Sequence, residues 1–96
     1  MRVRLSAAAR RDLSGIWTYS AKRWNEAQAD RYVRLFAESF DGLARGSLKG
    51  RSADDIRTGY FKLAVGSHLV FYRMGTAGVI EVVRILHKRM DIDRHL

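Results

Sequence analysis

The chain has no cysteine and no proline. Without cysteine there is no disulfide, no thiolate metal site and no cysteine nucleophile, a composition that suits a reducing compartment. Without proline, element boundaries must be read from glycines, capping residues and changes of hydrophobic period. Long apolar runs are also missing. The opening Met1-Arg2-Val3-Arg4-Leu5 lacks the apolar stretch of a signal peptide, and no later stretch is long enough to cross a bilayer, so a soluble cytoplasmic protein without a membrane partner is expected. Acidic residues are scarce: 10 Asp and Glu face 18 Lys and Arg, a formal net charge of +8. The close acidic pairs, Asp54-Asp55 and Asp91-Ile92-Asp93, have no second ligand group at metal-site spacing except His95 in the tail, so neither a metal nor a cofactor is expected. The glycines at 42, 46, 50, 59, 66, 75 and 78 fall at turns or element ends and form no phosphate-binding loop.

What remains is short and strongly basic. A length of 96 residues, with no repeat, low-complexity tract or linker, supports one domain spanning 1–96. So small a domain buries only about 60–65% of its unfolded surface, so a partner covering apolar area would add stability. Most of the basic residues are Arg, whose planar fork suits carboxylate and phosphate. A body this positive attracts polyanions, whether nucleic acid, an acidic protein or a nucleoprotein machine. A basic surface with no specific target would read the same way.

Arg2 to Leu5 alternates basic and apolar residues, as a short strand does. Ser6 is placed to cap a helix opened by Ala7-Ala8-Ala9, with Leu13, Ile16, Trp17 and Ser20 along one face. Asn25 is placed to cap a second helix, with Gln28 completing a loose capping box. Ala29, Tyr32, Val33, Phe36, Phe40 and Leu43 form its apolar stripe, and Gly46 is positioned to end it. Ser47 to Asp55 reads as an exposed loop. Three strands follow: Ile56 to Val65, His68 to Met74 after a Gly66-Ser67 hairpin turn, and Val79 to Leu86 after a Gly75–Gly78 turn. The last is apolar enough to be buried on both faces. The polar tail from His87 carries Met90, Ile92 and Leu96 as isolated apolar residues. The expected fold is α+β: a strand, a helical hairpin and a three-stranded antiparallel meander, with the helices packed on one face of the sheet.

Several stretches, in this order, are similar to one family. Leu5-Ser6-Ala7-Ala8-Ala9-Arg10-Arg11-Asp12-Leu13 resembles the opening of ParE-type toxins of the RelE/ParE superfamily. Ile16-Trp17-Thr18-Tyr19-Ser20 with Trp24 resembles their first helix. Arg57-Thr58-Gly59-Tyr60 and Gly66 to Arg73 resemble their middle hairpin, and Glu81 to Asp91 their last strand and exit. One departure is the loop after the second helix, where family members often carry a proline. The resemblance implies the toxin of a type II toxin–antitoxin pair, which arrests growth by stabilising DNA gyrase on cleaved DNA. It also implies a ParD-type antitoxin that neutralises the toxin with an acidic C-terminal segment and contacts operator DNA itself.

The resemblance leaves two alternatives: a RelE-like ribosome-dependent ribonuclease, and an inactive antitoxin-binding module. A ribonuclease needs basic residues around the scissile phosphate and a proton-transfer group. Arg57, Lys62, Arg84 and His87 are the residues available for it, although regular alternation sets Arg57 and Lys62 on opposite sheet faces. For the antitoxin, the expected dock is Leu13, Trp17, Tyr60 and Leu69, half-exposed rims of core side chains, with Tyr19 and Trp24 as less readily assigned aromatics. For gyrase, the resemblance points to His87, Lys88, Arg89 and Met90, with Arg57 and Arg73 as secondary contacts.

Overall fold

Helix α1 (Ala7–Arg23) begins where Ser6, in extended conformation, turns its hydroxyl back to accept from the Ala9 N–H at 2.9 Å. Helix α2 (Glu26–Arg45) repeats the device with Asn25, whose side-chain oxygen accepts from the Gln28 N–H at 2.8 Å. Gln28 does not reciprocate, because its own oxygen is taken by Arg31. Gly46 ends α2 at φ 79°, and its N–H is returned to the carbonyls of the last turn. The structure, a computed structural model, describes residues 1–96. No helix in it is long and apolar enough to cross a membrane.

The sheet has five strands: β1 (Val3–Leu5), β2 (Arg51–Ser52), β3 (Tyr60–Val65), β4 (His68–Met74) and β5 (Ile80–His87). Their order is β1-β5-β4-β3-β2, with β1 parallel to β5 and all other neighbours antiparallel. The α+β layout is as expected, and β5 is indeed interior, with buried residues on both faces. Gly66 makes the β3–β4 turn at φ 57°, and a Cβ there would lie 2.6 Å from the Tyr32 ring, so backbone conformation and close approach both require glycine.

Three expectations need correction. The stretch read as an exposed loop contains β2, and Ala53 just after it is fully buried. The strand read from Ile56 starts only at Tyr60, because residues 53–60 close a turn on themselves. Ala53 N–H donates to the Tyr60 carbonyl at 2.8 Å, and Asp54 accepts from the Gly59 N–H at 2.7 Å. The tail forms a short helix α3 (Ile92–His95), and Ile92 and Leu96 pack with Phe71, Leu86 and Ala53 rather than standing alone.

The sheet therefore has two cores. Phe36, Leu43, Val70, Tyr72, Val82 and Ile85 are among the residues packed between the helices and the near face. Phe71, Leu86 and Ala53 sit on the far face beneath α3 and the 53–60 turn. A bulge in β5 sorts the residues. Phe71 pairs with Arg84 while Tyr72 pairs with Val82, so Val83 is the extra residue. Without it, Ile85 and Leu86 would exchange faces. Each fully buried side chain of this size contributes about 1.5–3 kcal/mol.

Candidate functional site

β1 stops at Leu5, opposite Val82, so the second half of β5 has no strand on that side. Side chains from the start of α1 take its place. Ser6 donates its hydroxyl to the Val83 carbonyl at 2.6 Å, and Asp12 accepts from the Ile85 N–H at 2.9 Å. Asp12 also takes both arms of Arg84, from Nε at 2.8 Å and from Nη2 at 2.9 Å. The third nitrogen of Arg84 donates to the His95 carbonyl at 3.0 Å, which ties α3 to the same knot. Hydrogen bonding to Asp12 raises the pKa of Arg84 above its ordinary value, outweighing partial burial.

Beyond this knot α1 and β5 diverge around a groove of about 400 Å³. Its apolar walls include Ile16, Tyr19, Ile85 and Met90, and its polar side chains include Arg11, Asp12, His68 and His87. Tyr19 is two-thirds exposed at 66% and Met90 is 39% exposed, so the groove opens onto bare apolar surface. His68 and His87 face each other across β4 and β5, with ring centroids 5.1 Å apart. Tyr32 accepts from the Ser67 N–H at 2.9 Å, so its hydroxyl proton is free to go to His68 Nδ1, 2.7 Å away. That leaves the His68 proton on Nε2. Burial, reinforced by the neighbouring His87 and only partly opposed by Asp12, lowers the His68 pKa to about 4, so the ring is neutral at neutral pH. No group of three or more His, Asp or Glu side chains is placed to hold a metal.

Residues 3–92 match the family model described as the ParE toxin of type II toxin–antitoxin system, parDE. The chain belongs to the ParE toxin family. It is 47% identical over 92 residues to Toxin ParE1 of Mycobacterium tuberculosis, covering 96% of this chain and 94% of that one. Identity to Toxin ParE1 of Caulobacter vibrioides is 41% over 93 residues, covering 97% and 95%. Identity to Toxin ParE of Escherichia coli is 31% over 88 residues, covering 92% and 85%. A solved structure titled "Chromosomal ParDE TA system from P. aeruginosa" superposes with a TM-score of 0.77 at 19% identity, covering 91% of this chain and 95% of that one, a likeness of fold.

On this ParE scaffold the residues expected to act together are dispersed. Leu13, Trp17, Tyr60 and Leu69 are all half-buried. Leu13 packs on the near core, whereas Tyr60 and Leu69 pack on the far cluster, across the sheet from it. Trp17 bridges the helical hairpin, its indole N–H donating to Asp30 at 2.9 Å, rather than entering the core. Phe36, by contrast, is fully buried. Arg57 lies in the 53–60 turn, its guanidinium 5.9 Å from the Tyr60 ring centroid. Arg73 is held by Glu81, which also pairs with Arg4. Hydrogen bonds from Arg73 first and Arg4 second hold the Glu81 carboxyl below its ordinary pKa.

The ParE exit segment is a structured turn. Lys88 N–H donates to the Ser67 carbonyl, Arg89 N–H to His87 Nδ1 and Met90 N–H to the His87 carbonyl, each at 3.0 Å. The Lys88 and Arg89 side chains are exposed, and Met90, also exposed, borders the groove. Asp12, Tyr32 and His68 were not singled out by the sequence as site residues. Asp12 carried one signal, an acid in a basic, alanine-rich helix start, but nothing local names a partner 72 residues away.

Proposed function

We propose that this toxin acts by binding, inhibiting DNA gyrase by stabilising its complex with cleaved DNA, and that a ParD-type antitoxin neutralises it. One observation carries the choice of binding over RNA cleavage: the four candidate nuclease residues do not converge. His87, the proton-transfer candidate, faces the helix side beside His68. Lys62 and Arg57 both lie towards the far face, contrary to the alternation expected of them, because Arg57 is in the 53–60 turn and not on β3. Arg84 is occupied by Asp12 and the His95 carbonyl. General acid–base cleavage needs the proton donor and the phosphate-holding cations around one reacting atom.

The groove between α1 and β5 supports the antitoxin half of the reading. Its apolar walls, with Arg11 at the rim, suit an amphipathic segment that carries an acid, with Leu13 and Trp17 along the same helix as further contacts. Tyr60 and Leu69 would be reached only by a segment that wraps to the far face. Operator DNA is then contacted through the antitoxin. The gyrase contact is assigned to the exit segment, His87 to Met90, of which Lys88, Arg89 and Met90 are exposed, with Arg57 and Arg73 as secondary contacts.

The test is purified toxin with gyrase and plasmid, run beside a ribosome-dependent messenger RNA cleavage assay. Linear plasmid released by detergent and protease, with intact RNA, is the expected result. Cut RNA with intact plasmid would overturn it in favour of a ribonuclease.

A further inference from the structure

Three basic side chains cluster at the far end of the sheet with no acid among them. Arg51 on β2 sits directly opposite Lys62 on β3. With Lys49, Gly50, Ala64 and Leu69 they line a depression of about 380 Å³. The ion pairs of the molecule use Arg4, Arg45, Arg73 and Arg84 and leave all three unpaired. Like charges directly opposite on neighbouring strands repel and destabilise the pairing. Lys62 is half-buried as a residue, so its stem has limited freedom to swing the charge away from Arg51.

The backbone gives these charges little room to separate. Gly50 N–H donates to Tyr72 Oη at 2.7 Å, and Tyr72 is itself only 4% exposed. A Cβ on Gly50 would lie 2.7 Å from both the Lys62 carbonyl oxygen and Tyr72 Oη. The segment bearing Lys49 and Arg51 is therefore clamped against the sheet edge, and the fold maintains a concentration of positive charge that costs it stability.

We propose that this edge binds the phosphodiester backbone of a nucleic-acid strand through Lys49, Arg51 and Lys62, without reading its bases. A phosphate between Arg51 and Lys62 removes their repulsion, and its oxygens accept from the ammonium and guanidinium groups. Contacts of this kind position a strand and carry no sequence information. An acidic protein segment fits less well, because the only apolar floor is Ala64 and Leu69, and such a segment needs larger anchors. The site does not depend on gyrase being the target, so it stands or falls separately from the reading above.

The experiment is fluorescence anisotropy of the full-length toxin with short labelled single-stranded DNA, duplex DNA and single-stranded RNA, titrated with salt. Three phosphate contacts predict a log–log salt slope of about −2 for single strands. Replacing Arg51→Gln together with Lys62→Gln should flatten the slope to about −0.7 and weaken binding by about tenfold. The same double variant should raise the thermal midpoint of the free protein, an outcome unlike that of a folding defect. Lys22→Gln with Arg34→Gln, exposed helix residues removing equal charge, should leave the slope near −2. Relative affinities for DNA and RNA identify the source of the strand. Unchanged binding by the Arg51/Lys62 variant, or equal weakening by the helix variant, overturns the site. So does polyglutamate binding that needs Arg51 and Lys62 when no oligonucleotide binds.

Discussion

Asp12 holds Arg84 in a two-armed ion pair and, with the same carboxylate, accepts the N–H of Ile85, so one side chain stands where β1 has ended. The edge of β5 is thereby satisfied without a longer first strand, and the start of α1 is fixed to the sheet. Leaving a part-buried charge and a strand N–H unpaired is expensive, whereas the pair itself, partly open to water, contributes modestly.

Asp12→Ala should therefore destabilise the toxin by about 2 kcal/mol, lowering the melting temperature by roughly 10 °C in a domain of this size. Asp12→Asn, which keeps an acceptor for Ile85, should cost less. In urea denaturation, adding Arg84→Ala to Asp12→Ala should cost much less than the two single losses added together. Additive losses would mean that the pair contributes nothing as a unit.

His68 provides a pH dependence whose sign can be worked out. Its folded pKa of about 4 lies below the ordinary 6.5, so between these values the unfolded chain binds a proton that the folded chain does not. Stability from this group is fully present above pH 6.5 and is lost as pH falls towards 4. Discounted for its partial exposure, the effect is about 1–2 kcal/mol. Urea denaturation of wild type and His68→Gln at both ends of this window should show the smaller pH difference in the variant. Equal pH dependence would assign it to other groups.

Ala77 occupies the left-handed region at φ 57° in the turn before β5. A non-glycine residue there is strained, and glycine relieves the strain at a smaller entropic cost in the unfolded chain. Ala77→Gly should raise stability by about 0.5–1 kcal/mol, read as a higher melting temperature with activity unchanged. A lower melting temperature would show that the turn holds no such strain.

Lys88 and Arg89 extend from a turn whose backbone is hydrogen-bonded to the β3–β4 hairpin and to His87. Replacing both with Ala leaves those backbone bonds in place. If the exit segment contacts gyrase, the double variant should keep its melting temperature and antitoxin binding while losing about tenfold in gyrase affinity. Growth arrest undiminished at matched protein levels would remove this segment from the gyrase interface.

Local signals were legible where the physics is local. Ser6 and Asn25 cap the helices as their side chains allow, Gly46 ends α2 in the left-handed conformation, and Gly66 turns the hairpin. The apolar stripe of α2 put Phe36 in the core, and the apolar run of β5 placed that strand inside the sheet. β2 was not legible, because a two-residue Arg-Ser strand has no pattern of its own, and its neighbour Gly50 is held by Tyr72, 22 residues away. Ile56 looked like the start of a strand because apolar residues follow it, but the bonds that close residues 53–60 into a turn outweigh that pattern.

The sequence by itself determined the class of fold, the helical hairpin, the basic charge and the family, because capping, periodicity, composition and motif order are properties of neighbouring residues. Tertiary structure alone decided which residues meet. One extra residue at Val83 chooses the faces of Ile85 and Leu86, and a first strand that ends at Leu5 leaves room for Asp12 to reach Arg84. It likewise put His87 beside His68 and away from Lys62, and set Arg51 against Lys62. Such meetings depend on strand register and strand length, and no local periodicity specifies either across tens of residues.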